Sequence, residues 1–181
     1  MKKILFVMLV AIGFSQFAHA QIYITRTGYI GFFSKTPMED IKAENSQVYA
    51  VIDVAKKNIA FAALLKGFLF RKQLMQEHFN ENYVESDKYP KATFSGTFKS
   101  NEDVTQNGVH NVDVSGKISL HGVENPVTTT ATLEMKDGKL TGKAHLLMVP
   151  GDYNIQIPSL VREKIEKEIK VEILIECSAT K

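Results

Sequence analysis

Apolar and polar residues alternate with period two along most of the chain, and turn residues interrupt the alternation at short intervals. Val112, Val114, Gly116, Ile118 and Leu120 alternate with Asp113, Ser115, Lys117 and Ser119. Val127, Thr129, Ala131, Leu133 and Met135 form the next set, and Leu140, Gly142, Ala144, Leu146 and Met148 the one after. Such alternation gives a segment one apolar and one polar face, as in a half-buried strand. Val48 to Val54, Ile59 to Leu65, Thr93 to Lys99 and Val171 to Cys177 read the same way. A first strand within Ile22–Ser34 brings the count to eight. Ala55 to Asn58 joins two strands as a hairpin. Lys136-Asp137-Gly138-Lys139 carries the Asp-Gly pair that a primed turn favours, and His121 to Pro126 reads as the turn before the Val127 strand.

Helical signals are few. Thr36-Pro37-Met38-Glu39 is a capping box with proline at the first helical position and predicts a short helix. Arg71 to Asn80 places Leu74, Met75, His78 and Phe79 on one helical face. Pro158 to Glu168 groups Leu160, Val161 and Ile165 and predicts a helical turn capping one end of the sheet. Antiparallel strands with one apolar face each need a second sheet or closure. Near-sequential hairpins favour closure, which also removes exposed edges. The expected fold is all-β: an eight-stranded antiparallel up-and-down barrel with one or two short helices capping it or inserted.

The interior of an eight-stranded barrel is filled by side chains or just admits one small ligand. The mid-strand positions are small (Gly116, Ala131, and Gly142 or Ala144), with larger residues towards the ends. This suggests an elongated apolar cavity lined by Phe61, Phe94, Phe98, Val114, Gly116, Ile118, Ala131, Leu133, Gly142, Ala144, Leu146 and Ile173. Leu74, Met75, His78 and Phe79 would form a lid helix over one opening. Alternating small and large residues suit a solid core equally well, with the three phenylalanines filling the waist. The pattern leaves both readings open: a lipid-binding barrel, or a solid barrel acting through its surface as a stress-related or protein-interaction module.

The first twenty residues carry an address. Lys2 and Lys3 precede an apolar run from Ile4 to Phe14, and Ala18-His19-Ala20 offers a small-x-small cleavage site before Gln21. The run is short of the roughly 20 residues a membrane span needs, and no cysteine follows the cleavage site to take a lipid. The expectation is a signal peptide over residues 1–20 and one domain over 21–181, periplasmic or secreted, with no transmembrane anchor after cleavage. Lys2 and Lys3 fall in the leader, so the 22 Lys and Arg residues drop to 20, equal to the 20 Asp and Glu. A neutral chain lacks the basic surplus of a nucleic-acid binder. Cys177, the single cysteine, allows no internal disulfide and falls among alternating apolar residues as a small buried hydrophobe.

The densest cluster of reactive side chains is Glu77, His78, Glu81, Tyr83, Glu85 and Asp87. Adjacent residues on a helix point about 100° apart, so Glu77 and His78 do not form a pair. His78 shares a face with Leu74 and reads as a half-buried packing histidine, while the acids read as a solvated face. His110 and His121 lie near strand ends, and His145 lies opposite Ala144 and Leu146. No metal-ligand spacing, nucleophile elbow or phosphate loop is present. The expectation is therefore no catalysis, no metal and no cofactor.

The order of three passages resembles the YceI family of secreted, lipocalin-like proteins. They are Leu74-Met75-Gln76-Glu77-His78-Phe79-Asn80, Lys88-Tyr89-Pro90-Lys91-Ala92-Thr93-Phe94, and the run from Val112 through Gly116, Leu120, Gly122 and Pro126 to Val127. Asp152-Tyr153-Asn154-Ile155 adds weaker support. The resemblance implies an extended antiparallel barrel with an inserted helix that binds a long-chain isoprenoid or similar lipid inside. Two departures bear on the ligand. Asn154 stands where the family usually has glycine, and Tyr29 to Ser34 lacks the family's early His-Ser. The sequence leaves the oligomeric state open, a dimer included.

Overall fold

The computed structural model describes residues 22–180. The leader expected over residues 1–20, and Gln21 after it, lie outside the described residues. The strands are β1 (Ile22–Lys35), β2 (Asp40–Asp53), β3 (Asn58–Leu64), β4 (Leu69–Phe70), β5 (Lys91–Lys99), β6 (Gly108–Leu120), β7 (Val123–Lys136), β8 (Lys139–Met148) and β9 (Ile169–Ala179). They follow the order β1-β9-β8-β7-β6-β5-β3-β2, and β1 pairs with β2 to close the ring. Every pairing is antiparallel. The expected eight-stranded barrel is present.

The two-residue β4 was not expected. It pairs with β2 at Ala43 and Glu44, while β3 pairs with β2 only from Tyr49 to Asp53. β3 and β4 thus share one place in the ring, separated by a 3₁₀ turn over Leu65–Gly67. Asn45 fills the break. Its Nδ2 donates to the Leu64 carbonyl at 2.9 Å, and its Oδ1 accepts from the Gln47 N–H at 2.8 Å.

The capping box does not start a helix. Thr36 Oγ1 accepts the Met38 and Glu39 N–H groups at 3.3 and 3.1 Å, as a helix cap would. However, the Thr36 N–H donates to the Glu39 carbonyl at 3.0 Å and the chain reverses into β2. The ladder from Lys35–Asp40 onward outweighs the local helix signal. The other turns follow their chemistry. Asp137 (φ 50°) and Gly138 (φ 76°) form the primed turn, and His121 (φ 52°) and Gly122 (φ 76°) form a second one. β7 therefore begins at Val123 rather than Val127.

Among the described residues the one α-helix, α1 (Gln73–His78), widens into a π turn over Phe79–Tyr83, where the Val84 N–H donates to the Phe79 carbonyl at 2.9 Å. Phe79 anchors it. Its ring lies 5.4, 5.8 and 5.1 Å from the rings of Phe32, Phe68 and Phe70. Residues Ser159–Lys164 form a 3₁₀ turn at the same end of the barrel. Val161 and Ile165 are half-buried there, but Leu160 is 92% exposed. Three residues per turn separate it from the face it was grouped with.

Candidate ligand cavity

The two ends of the barrel differ. At the end holding the β2–β3 and β7–β8 turns, Tyr23, Ile52, Val54, Met135, Leu140 and Cys177 pack into a solid core. Burial pushes the Cys177 thiol up to about 11, as for an inert core thiol. The β5–β6 loop closes over this end with Val104 buried. His110 is buried too, 2.7 Å from Glu102 Oε2 and 2.9 Å from the Gln106 carbonyl.

Above this floor lies a cavity of about 510 Å³. Its walls are the inward faces of the alternating strands. Phe61 of β3, Phe94 and Phe98 of β5, Val114 and Ile118 of β6, and Ala131 and Leu133 of β7 all face it. So do Gly142, Ala144 and Leu146 of β8 and Ile173 of β9. The small residues at the waist do leave space, and the interior is hollow. Gly116 is the exception. It lies opposite Gly96, and the Phe94 ring covers it, with Cζ 2.7 Å from where a Cβ would stand.

The mouth opens at the other end, between the β1–β2 turn, α1 and the 159–164 turn. Leu74, Met75, His78 and Phe79 all line it. Leu74 and His78 are exposed rather than packed. The lining acid Glu39 pairs with Lys72 at 2.8 Å, and Lys164 lines the rim across from them. Polar chemistry is thus concentrated at the rim and apolar surface in the depth.

Several lining residues escaped the sequence reading: Ile30 and Phe32 of β1, Phe68, Phe70, Tyr153 and Ile155. β1 hides its inward face because Tyr29-Ile30-Gly31-Phe32-Phe33 is apolar at nearly every position and the β1–β2 register shifts twice. Tyr153 and Ile155 lie outside any strand, in a segment whose only sequence signal was the acid-aromatic pair. The acids also divide. Glu77, Glu81 and Asp87 are exposed, as a solvated face requires, and Glu85 is half-exposed. Its Oε2 accepts from His121 Nε2 at 2.7 Å, and that bond holds the Glu85 carboxyl below the usual range. His145 is exposed, 3.8 Å from Glu172.

Residues 10–177 match the model of the YceI-like domain. The chain belongs to that family. A UPF0312 protein of Pseudomonas putida (strain W619) is 33% identical over 97 residues, and the match spans about half of each protein, 50% of this chain and 48% of the relative. Among solved structures, this YceI-like barrel is similar to a polyisoprenoid binding domain from Saccharophagus degradans, implicated in plant cell wall breakdown. The TM-score is 0.76 at 16% identity, covering 89% of this chain and 99% of that one. Burkholderia cenocepacia BcnA follows with a TM-score of 0.70 at 15% identity, covering 83% and 96%. At these identities the likeness is one of fold. Asn154, where the family usually has glycine, adopts φ 56°, a left-handed conformation that asparagine tolerates. That departure preserves the backbone turn, and Asn154 does not line the cavity.

Proposed function

We propose that this YceI-like protein is a non-catalytic carrier that holds one long-chain isoprenoid or similar lipid amphiphile in the barrel, tail inward. The observation that carries this reading is the cavity itself: hollow, apolar in its depth, blind at one end and polar at its rim. Its volume lies within the roughly 300–1,000 Å³ of small-molecule sites. Burial of a hydrocarbon chain is worth about 25 cal/mol per Å², so a water-insoluble tail gains from leaving solvent for this interior. Phe61, Phe94, Phe98, Val114, Ile118, Ala131, Leu133, Gly142, Ala144, Leu146 and Ile173 would contact the tail, and Leu74, Met75, His78 and Phe79 the part nearest the mouth. The leader expected over residues 1–20 supports a periplasmic or secreted site of action, where such a molecule needs a carrier.

Native mass spectrometry of the protein purified from its natural host, with lipid extraction, tests the reading. One bound long-chain amphiphile per barrel is expected. Protein that is uniformly ligand-free, and that takes up no isoprenoid alcohol or fatty acid when these are offered, would overturn it.

A further inference from the structure

The barrel wall is split. β7 and β8 exchange ladder pairs only from Lys136–Lys139 to Ala131–Ala144. Towards the mouth from that rung, β7 residues 123–130 pair with β6 alone, and β8 residues 145–148 pair with β9 alone. Thr129 Oγ1 donates to the His145 carbonyl at 2.8 Å, a side chain where a closed ladder would have a backbone bond. Pro126, which has no N–H, sits in this half of β7, as expected of a strand edge. Val127, Ala131, Ala144 and Leu146 on the two sides of the split all line the cavity.

A strap closes the split. Residues 149–157 leave β8 and turn back to the start of β7, with Tyr153 and Ile155 buried against the cavity. Two polar bonds tie the strap down. Asn125 Nδ2 donates to the Asp152 carbonyl at 2.6 Å, and His121 Nδ1 lies 2.9 Å from the Tyr153 carbonyl oxygen. The other ring nitrogen of His121 lies 2.7 Å from Glu85 Oε2. Both ring nitrogens therefore face acceptors, a carbonyl and a carboxylate. His121 and Glu85 also both hold positive φ, 52° and 45°, an arrangement that persists only when surrounding contacts enforce it.

We propose that the amphiphile enters and leaves sideways through the split between β7 and β8, with residues 149–157 as the door, held shut by Asn125 and His121. The proposal rests on the lipid-carrier reading of the cavity. Both routes bury the tail progressively, but end-on threading passes it through the mouth one segment at a time, whereas a lateral split lets neighbouring segments cross together.

Two measurements on the full protein test this. The first is the release rate of a pyrene-labelled isoprenoid alcohol into excess phospholipid vesicles. The second is amide hydrogen exchange of the strap in ligand-free protein. Asn125→Ala is expected to speed release by about tenfold, the factor that one net hydrogen bond carries. Strap exchange should rise with it while the β6 amides keep their wild-type protection. His121→Asn, which tolerates the positive φ, should act in the same direction. If His121→Asn does not fold, Asn125→Ala still decides. A release rate untouched by Asn125→Ala would place the entrance at the mouth beside α1. Faster release without faster strap exchange would overturn the door. Failure of the alcohol to bind at all would count against the carrier reading, while strap exchange would still judge the door.

Discussion

A Cβ on Gly116 would fall 2.7 Å from Gly96 Cα and 2.7 Å from the Phe94 ring, and would also meet the Ser95 carbonyl oxygen. Two of these neighbours are backbone and cannot yield. Gly116→Ala should therefore destabilise the barrel by about 1–3 kcal/mol, the usual cost of overpacking, and chemical denaturation will measure it. An unchanged midpoint would mean that β5 and β6 can part there. His110 gives a pH-dependent effect at the same scale. The Gln106 carbonyl, and then the Glu102 carboxylate, raise its pKa above the ordinary histidine value, which is about 6.5. A group whose folded pKa is raised contributes stability that is fully present below its unfolded pKa. That stability is lost as pH rises through the folded value. The β5–β6 loop should thus weaken from about pH 6.5 upward. The difference in urea midpoint between wild type and His110→Asn should shrink across that range, and a constant difference would show that the proton is not involved.

At the scale of elements, legibility followed how local the deciding interaction is. The Asp137-Gly138 turn and the strands β5, β6 and β8 were readable because alternation and turn chemistry are short-range. The start of β7 was not. Asn125 and Pro126 look like a turn, and only the missing β8 neighbour makes a proline tolerable in that strand. Thr36 bonds as a helix cap but lies in a hairpin, because the β1–β2 ladder is a long-range fact that a four-residue motif cannot report. The cavity was half legible. The small waist residues suggested space, yet the same pattern suited a solid core, and the Phe94 ring over Gly116 was invisible in sequence. The rim helix was legible in its periodicity but not in its attachment, which depends on phenylalanines from three segments. Phe79→Ala should cost about 2 kcal/mol, below the 3–5 kcal/mol of a fully buried phenylalanine, because Phe79 is only half-buried. Faster amide exchange confined to residues 73–83 would show that its ring pins α1 to the wall. Exchange spread evenly over the barrel would assign it instead to the common core.

For the molecule as a whole, the division into a solid end and a hollow end separates stability from binding. Tyr23, Ile52, Met135, Leu140 and Cys177 hold the barrel together without any ligand, while the waist is kept open by residues too small to fill it. Substitutions at the waist should then change binding without unfolding the protein, provided the new side chain grows into space and not into backbone. Ala144 meets that condition and Gly116 does not. Ala144 faces the cavity from the last rung that β8 shares with β7, opposite Ala131. A phenylalanine there would occupy volume the tail needs and would bury its own ring, an exchange worth about 1.5–3 kcal/mol. Ala144→Phe should keep the strand signal in circular dichroism and a melting temperature at or above that of wild type. Its affinity for a long-chain isoprenoid alcohol should fall by roughly tenfold to a hundredfold. Gly116→Phe should lose the fold first and binding only as a consequence. If Ala144→Phe binds the alcohol as wild type does, the tail does not reach the waist, and the ligand sits at the rim among Leu74, Met75 and Phe79.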